Sequence, residues 1–308
     1  MEKIMKRRIQ IAGVIVVSVV IVVNVFFLFY RLPEKKEETK QFQVMKFNMG
    51  DIDRAPEGKL KSIIIFGNGP SLRGFDFNAL KKYPRIDTLG MNLAFRYWQK
   101  INWWPTYYAN FDVVVGRDHK TEIVDLIKNA RKHKMKKFFL RDAKLNQMEE
   151  LKNNRLLDFL EDRRRQKGTH ILKNINMIST GAIAVRYALF YGYNHILLLG
   201  IDMNYVEMIK EAESVKGIVL KINETPKNNP NYFFDGYQQK GDLYNKPNTD
   251  TAHVASFNEL LRDWKGRTGN KTIHAAIYNG NPKSKLAEIG YPYLSYDDFV
   301  AQCDMRTY

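Results

Sequence analysis

The sequence predicts an α/β protein: a mostly parallel sheet with helices on both faces, preceded by a single transmembrane helix. Three observations point there. The runs SIIIF (62–66) and HILLLGID (195–202) are apolar without alternation, as in strands covered on both faces. Between such runs lie stretches with apolar residues at helical spacing, the rhythm of strand–helix–strand units. Residues 11–30, IAGVIVVSVVIVVNVFFLFY, carry no charge; as a helix they rise roughly 30 Å, the thickness of a bilayer's hydrocarbon core.

Taken in order, residues 1–10 form a short basic tail with Lys3, Lys6, Arg7 and Arg8. Residues 11–30 read as an uncleaved anchor, since the run ends in FLFYRLPEKK with no small-residue cleavage site. The tight basic cluster before it places the N-terminus in the cytoplasm, single-pass type II, with the rest luminal (Golgi or ER) or extracytoplasmic. Residues 31–60 are charged, poor in apolar runs, and read as a stem. The body, 61–308, is one domain. Strands are expected at 62–66, 86–91, 106–110, 137–140, 195–202 and 272–277. Helices are expected at 77–83, 122–132, 145–165, 251–264 and 283–289, and over STGAIAVRYALFYGY (179–193), with Gly192 as its stop. Residues 203–250, rich in Asn, Gly, Pro and Tyr, read as an irregular functional loop. The order is Rossmann-like, and chemistry belongs at the carboxyl ends of the strands.

Composition narrows the function. The 308 residues are 44% apolar and 27% charged, which excludes a disordered, collagen-like or multi-span membrane chain. A single cysteine, Cys303, excludes an internal disulfide and a cysteine zinc site. The formal charge of +16 points to an anionic partner: nucleic acid, a phosphate-bearing small molecule, an anionic glycan or a lipid surface.

Four motifs carry the chemistry. Gly67-Asn68-Gly69-Pro70-Ser71-Leu72 follows the first strand and opens a helix, a place where backbone N–H groups approach phosphate; a plain capped turn is the bland reading. Ser179-Thr180-Gly181 opens the most apolar helix of the body, where capping and phosphate contact can coexist. Asp202 and Tyr205 lie just past the most apolar strand, placed for a cleft or for a turn cap. In the long loop, aromatic residues interleave with Asn231 and Asp235, which suits a sugar or a base, and His253 opens the helix after it. His253 is the candidate general base. Asp235, flanked by Phe233, Phe234 and Tyr237, is the alternative if desolvation raises its pKa.

GNGPSL after the first strand, Asn92 after the second, Asn110 after the third and STGAIAVRYALFYGYNHILLLGID together resemble the bacterial sialyltransferases that elongate lipooligosaccharide, over roughly residues 60–265. The resemblance implies that Asn68, Gly69, Ser71, Asn92, Asn110, Thr180 and Gly181 face the cytidine nucleotide of CMP-sialic acid. It also implies a histidine base from the late loop, and no metal. The family's histidine precedes an Asn-Thr-Asp stretch; here Asn248-Thr249-Asp250 is preceded by Tyr244-Asn245, and His253 follows it. Of the tyrosines that hold the donor phosphate, only Tyr205 is loosely matched.

The expected function is a membrane-anchored, inverting, metal-independent glycosyltransferase. Its partners are a nucleotide-sugar donor as co-substrate, a glycan or glycolipid acceptor, and the membrane through residues 11–30. No cofactor is expected. The rival is a phosphotransferase of the pterin-pyrophosphokinase-like group, which needs magnesium. A non-enzymatic basic binding protein is the third reading, although no nucleic-acid module is present.

Overall fold

The computed structural model describes residues 60–141, 145–151, 154–160, 179–264 and 275–305. The tail, the apolar run 11–30 and the stem lie outside them. Among the described residues no helix is long and apolar enough to cross a membrane.

Seven strands form one sheet in the order β10-β6-β1-β2-β3-β4-β5, with every neighbouring pair parallel. They are β1 (Ser62–Phe66), β2 (Asp87–Met91), β3 (Tyr107–Asn110), β4 (Lys137–Arg141), β5 (Leu157–Leu160), β6 (His195–Leu199) and β10 (Ala276–Asn279). The chain lays down β1 to β5 in one direction and then returns to the other side of β1 with β6. At such a reversal α/β proteins commonly place their ligands.

Alternation explains the layers. Ile64 and Phe66 point to one face and join Phe77, Trp98, Trp103, Leu126 and Phe299. Ile63 and Ile65 point to the other and join Ala182, Val185, Leu189, Phe257 and Leu260. The first face is covered by α1 (Phe95–Ile101), α3 (Lys120–Lys128) and α7 (Tyr296–Met305), and the second by α4 (Thr180–Phe190) and α5 (Ala255–Trp264). Short helices α2 (Val113–Asp118) and α6 (Lys285–Glu288) complete the set. Helix α4 is buried from Gly181 to Leu189 and stops as expected at Gly192, whose φ is +77°. At the amino end of the sheet α7 docks on β1 and β6. His195 stacks on Phe299 with ring centroids 4.2 Å apart, and Cys303 Sγ lies 3.2 Å from Ser62 Oγ.

Three expectations are corrected. Residues 145–165 are not one helix: two short 3-10 turns lead into β5, because Asn154 Oδ1 accepts the Leu156 amide, turning the chain into an extended run that pairs with β4. Residues 203–250 are not irregular throughout. They contain an antiparallel sheet of β7 (Ala212–Lys216), β8 (Val219–Ile222) and β9 (Leu243–Asn245), with its own small core of Ile209, Ala212, Leu220, Ile222 and Tyr244. The last strand of the main sheet begins at Ala276 rather than 272, and residues 272–274 lie outside the described set.

At the reversal the β1 and β6 loops press together, with Gly67 N donating to Leu199 O at 2.7 Å and Gly69 N to Gly200 O at 2.8 Å. A Cβ on Gly67 would lie 2.2 Å from Gly200 O, a backbone atom that cannot step aside. Gly67→Ala is therefore expected to cost about 3 kcal/mol or more in a urea titration.

Candidate functional site

Three asparagines stand at the carboxyl ends of three adjacent strands: Asn68 after β1, Asn92 after β2 and Asn110 at the end of β3. Each has one amide atom buried with no hydrogen-bond partner, namely Asn68 Oδ1, Asn92 Oδ1 and Asn110 Nδ2. Buried polar groups are normally paired, so three such atoms on neighbouring strands mark a place built to meet a polar ligand. Asn68 is held by its other amide atom, with Nδ2 donating to Met91 O at 3.3 Å and to Tyr237 Oη at 3.0 Å. Asn92 is fixed by a left-handed backbone, φ +52°, and its carbonyl accepts the Tyr108 hydroxyl at 3.0 Å.

The start of α4 points to the same end of the sheet, since a helix leading into parallel β6 runs against it. Ser179 is the cap, its Oγ accepting from Ala182 N at 3.2 Å, and its own N–H donates to Ser256 Oγ at 3.1 Å. Ser179 is thus taken up by capping. The first-turn N–H groups of Thr180 and Gly181 have no carbonyl ahead of them in the helix, and the helix dipole there favours an anion.

Ser71 and Asp202 are brought together, but as a tie. Asp202 Oδ2 accepts Ser71 N at 2.9 Å, while Oδ1 accepts Ser71 Oγ at 2.6 Å and Asn281 Nδ2 at 2.8 Å. The Asp202 carbonyl also accepts Lys285 N at 3.0 Å. Asp202 thus joins the exits of β1, β6 and β10 through its carboxylate and reaches α6 through its carbonyl. Pro70 starts the 3-10 turn that carries Ser71, and Gly69 precedes it.

His253 lies in a π-helical turn, Thr249–Val254, ahead of α5, and its ring meets Tyr205 with centroids 4.9 Å apart. Burial lowers its pKa to about 4. Burial and the nearby Asp202 charge push Tyr205 up to about 12. Asp235 is placed otherwise than its neighbours suggest. It is exposed and accepts the Asn228 amide at 3.0 Å, whereas Phe233 and Phe234 turn inward against Tyr97. Those rings are core, so they neither desolvate Asp235 nor offer a stacking face. The tyrosines do border the asparagines, Tyr232 stacking on Tyr237 at 3.8 Å.

One carboxylate escaped the sequence reading. Asp112, two residues past β3, caps α2 through Val114 N at 2.8 Å and Val115 N at 3.2 Å and accepts Asn245 Nδ2 at 2.9 Å. Burial raises its pKa against the pull of those three donors. Its only signal was Asn-Phe-Asp at a strand end.

No family model and no curated protein matches this chain. Among solved structures it is similar to the sialyltransferase CstII from Campylobacter jejuni in complex with the substrate analogue CMP-3FNeuAc: identity 16%, TM-score 0.43, covering 78% of this chain and 88% of that one. A second CstII structure, with cytidine-5'-monophosphate, gives 17%, 0.38, 75% and 85%. The MAf glycosyltransferase from Magnetospirillum magneticum AMB-1 gives 14% and 0.37, covering 82% of this chain and 38% of that one. These likenesses are loose, and the site's own residues carry the functional reading.

Two measurements probe the site. Asp202→Asn puts an amide among three donors and is expected to cost about 2–4 kcal/mol in a urea titration. For His253, the folded value near 4 lies below the ordinary 6.5 or so of an unfolded chain. Between those pH values the unfolded state takes up a proton that the folded state refuses, so stability falls as pH drops through that window and is untouched above it. His253→Gln is expected to lose less stability than the parent between pH 7 and pH 5, read from urea midpoints.

Proposed function

We propose that the chain is a membrane-anchored glycosyltransferase that moves a sugar from a nucleotide donor, CMP-sialic acid or a similar sugar nucleotide, to a glycan or glycolipid acceptor. The observation that carries the reading is the row of unpaired amide atoms on Asn68, Asn92 and Asn110 beside the start of α4. Amide oxygens and nitrogens can match the polar edge of a base and the hydroxyls of a ribose. The N–H groups of Thr180 and Gly181, with the Thr180 hydroxyl, suit the phosphate. The GNGPSL and STGA motifs support the same assignment through the sequence resemblance.

The reaction is an inverting displacement. His253, neutral at physiological pH because its pKa is near 4, takes the proton of the acceptor hydroxyl. The freed oxygen attacks the anomeric carbon from the face opposite the phosphate. The carbon–oxygen bond to the phosphate breaks, and the first turn of α4 holds the departing charge. Side chains carry this scheme without a metal in the transfer step. Residues 11–30 anchor the enzyme, with the catalytic body luminal or extracytoplasmic. Asp112 is a second reading for the base, favoured by its burial at the end of β3 and its raised pKa.

Incubating the full chain in detergent with a panel of nucleotide sugars, and scoring hydrolysis and transfer, tests the reading. CMP-linked donors are expected to be consumed; turnover of ATP with magnesium and of no sugar nucleotide would establish the phosphotransferase instead. Asn68→Ala and Thr180→Ala are each expected to weaken nucleotide binding by about 1–3 kcal/mol. Unchanged CMP, UDP and GDP affinity in both would move the cleft elsewhere. His253→Ala is expected to slow turnover about 10²–10⁴-fold with nucleotide affinity kept. The parent's rate should stay level down to about pH 5 and fall toward pH 4, as a base of that pKa requires. If instead Asp112→Asn stops turnover while His253→Ala does not, the base is Asp112.

A further inference from the structure

A second constellation lies where the 203–250 insertion meets α1, α2 and α3. His119 sits in the break between α2 and α3 and is 5% exposed. Its Nδ1 is 2.5 Å from Glu122 Oε2. A carboxylate can only accept, so Nδ1 carries the proton and donates it. The opposite nitrogen, Nε2, is buried with no hydrogen-bond partner. It faces Asp118 Oδ2 at 3.4 Å and Asp242 Oδ1 at 3.8 Å. A nitrogen lone pair turned toward two carboxylate oxygens is repulsive unless a positive charge stands between them.

Arg96 pairs with Asp242 and Glu122. Its NH1 bonds Asp242 Oδ2 at 2.6 Å and its NH2 bonds Asp242 Oδ1 at 3.2 Å, while NH2 also lies 3.3 Å from His119 Nδ1. Three carboxylates, Asp118, Glu122 and Asp242, stand around the imidazole against the one guanidinium of Arg96, which leaves negative charge for a further cation to meet.

We propose that His119 Nε2, Asp118 and Asp242 bind one divalent ion of the zinc class. Tetrahedral ligands at about 2.0–2.2 Å from such an ion stand roughly 3.4 Å from one another, and the donor atoms here all lie within 4.8 Å. One imidazole and two carboxylates without sulfur suit Zn²⁺ or Co²⁺ better than Mg²⁺ or Ca²⁺, which favour all-oxygen sets. Glu122 plays the outer part, accepting the far ring N–H of the ligating histidine, as carboxylates do in zinc sites. The insertion's backbone steadies both acids: Leu243 N donates to Asp118 Oδ2 at 2.7 Å and Gln239 N to Asp242 Oδ2 at 2.8 Å. The ion staples the insertion to the helices. It also stiffens a path to the asparagines, because Arg96 NH1 donates to Tyr237 O and the Tyr237 hydroxyl receives Asn68. This inference stands independently of the transferase reading.

The test strips the full chain in detergent with a chelator, removes the chelator, and titrates Zn²⁺ and Co²⁺ by calorimetry and melting temperature. One equivalent is expected to bind in the micromolar range or tighter and to raise the melting temperature, with Mg²⁺ far weaker. His119→Gln and Asp242→Asn are expected to lose at least about tenfold in affinity, and Glu122→Gln about 10–100-fold. Should those variants fail to fold, the Co²⁺ form of the parent decides by its paramagnetically shifted ring N–H resonance, the mark of an imidazole ligand. A folded parent that binds neither ion overturns the proposal. So does binding unchanged in His119→Gln, or an Nε2 that stays protonated beside stoichiometric Zn²⁺, meaning that a proton fills the gap.

Discussion

The carboxylate of Asp202 is the constraint on which the working end of the molecule depends. Parallel strands deliver their ends to one edge of the sheet, and the reversal between β1 and β6 would leave two loops spreading apart there. Asp202 draws them together by accepting Ser71 from one side and Asn281 from the other. The close approach of Gly67 to Gly200 is the steric counterpart of that bond set. With the reversal sealed, the open polar edge shifts sideways to the ends of β1, β2 and β3, where the asparagines stand. The position of the candidate site is thus a consequence of which crevice the acid has closed.

The sheet was largely legible because its strands are covered on both faces, so apolar runs such as SIIIF and HILLL have no competing reading. Helix α4 was legible for the same reason, and Gly192 supplied its end. The insertion was not, because β7, β8 and β9 hold together through a five-residue core whose members are spread from Ile209 to Tyr244. Nor was β5, whose short Leu-Asp-Phe-Leu run fits a helix as well as a strand until β4 offers it a partner.

The candidate site divides along similar lines. Position alone singled out Asn68, in the glycine turn after the first strand, whereas Asn92 and Asn110 were reached through the family resemblance. What their partners consume could not be read: Asp202 and Ser71 look like ligand groups in sequence and spend their polar atoms on each other. Asp235 sits between aromatic residues in the chain, yet its side chain and theirs leave the backbone in opposite directions. The Arg96, His119 and Asp242 cluster has no local signature, since its members are 23 and 146 positions apart and meet only after folding.

The docking of α7 has a practical corollary. Cys303 is the molecule's one thiol, half-buried against Ser62 at the amino edge of the sheet, the edge opposite the asparagines, and burial raises its pKa. A thiol there reacts slowly while α7 is seated and quickly once it lifts. The chain thus carries a native reporter of the seating of α7, at the end of the sheet away from the asparagines. The labelling rate of that single site separates a variant that binds poorly because it has lost a contact from one that binds poorly because it has begun to unfold.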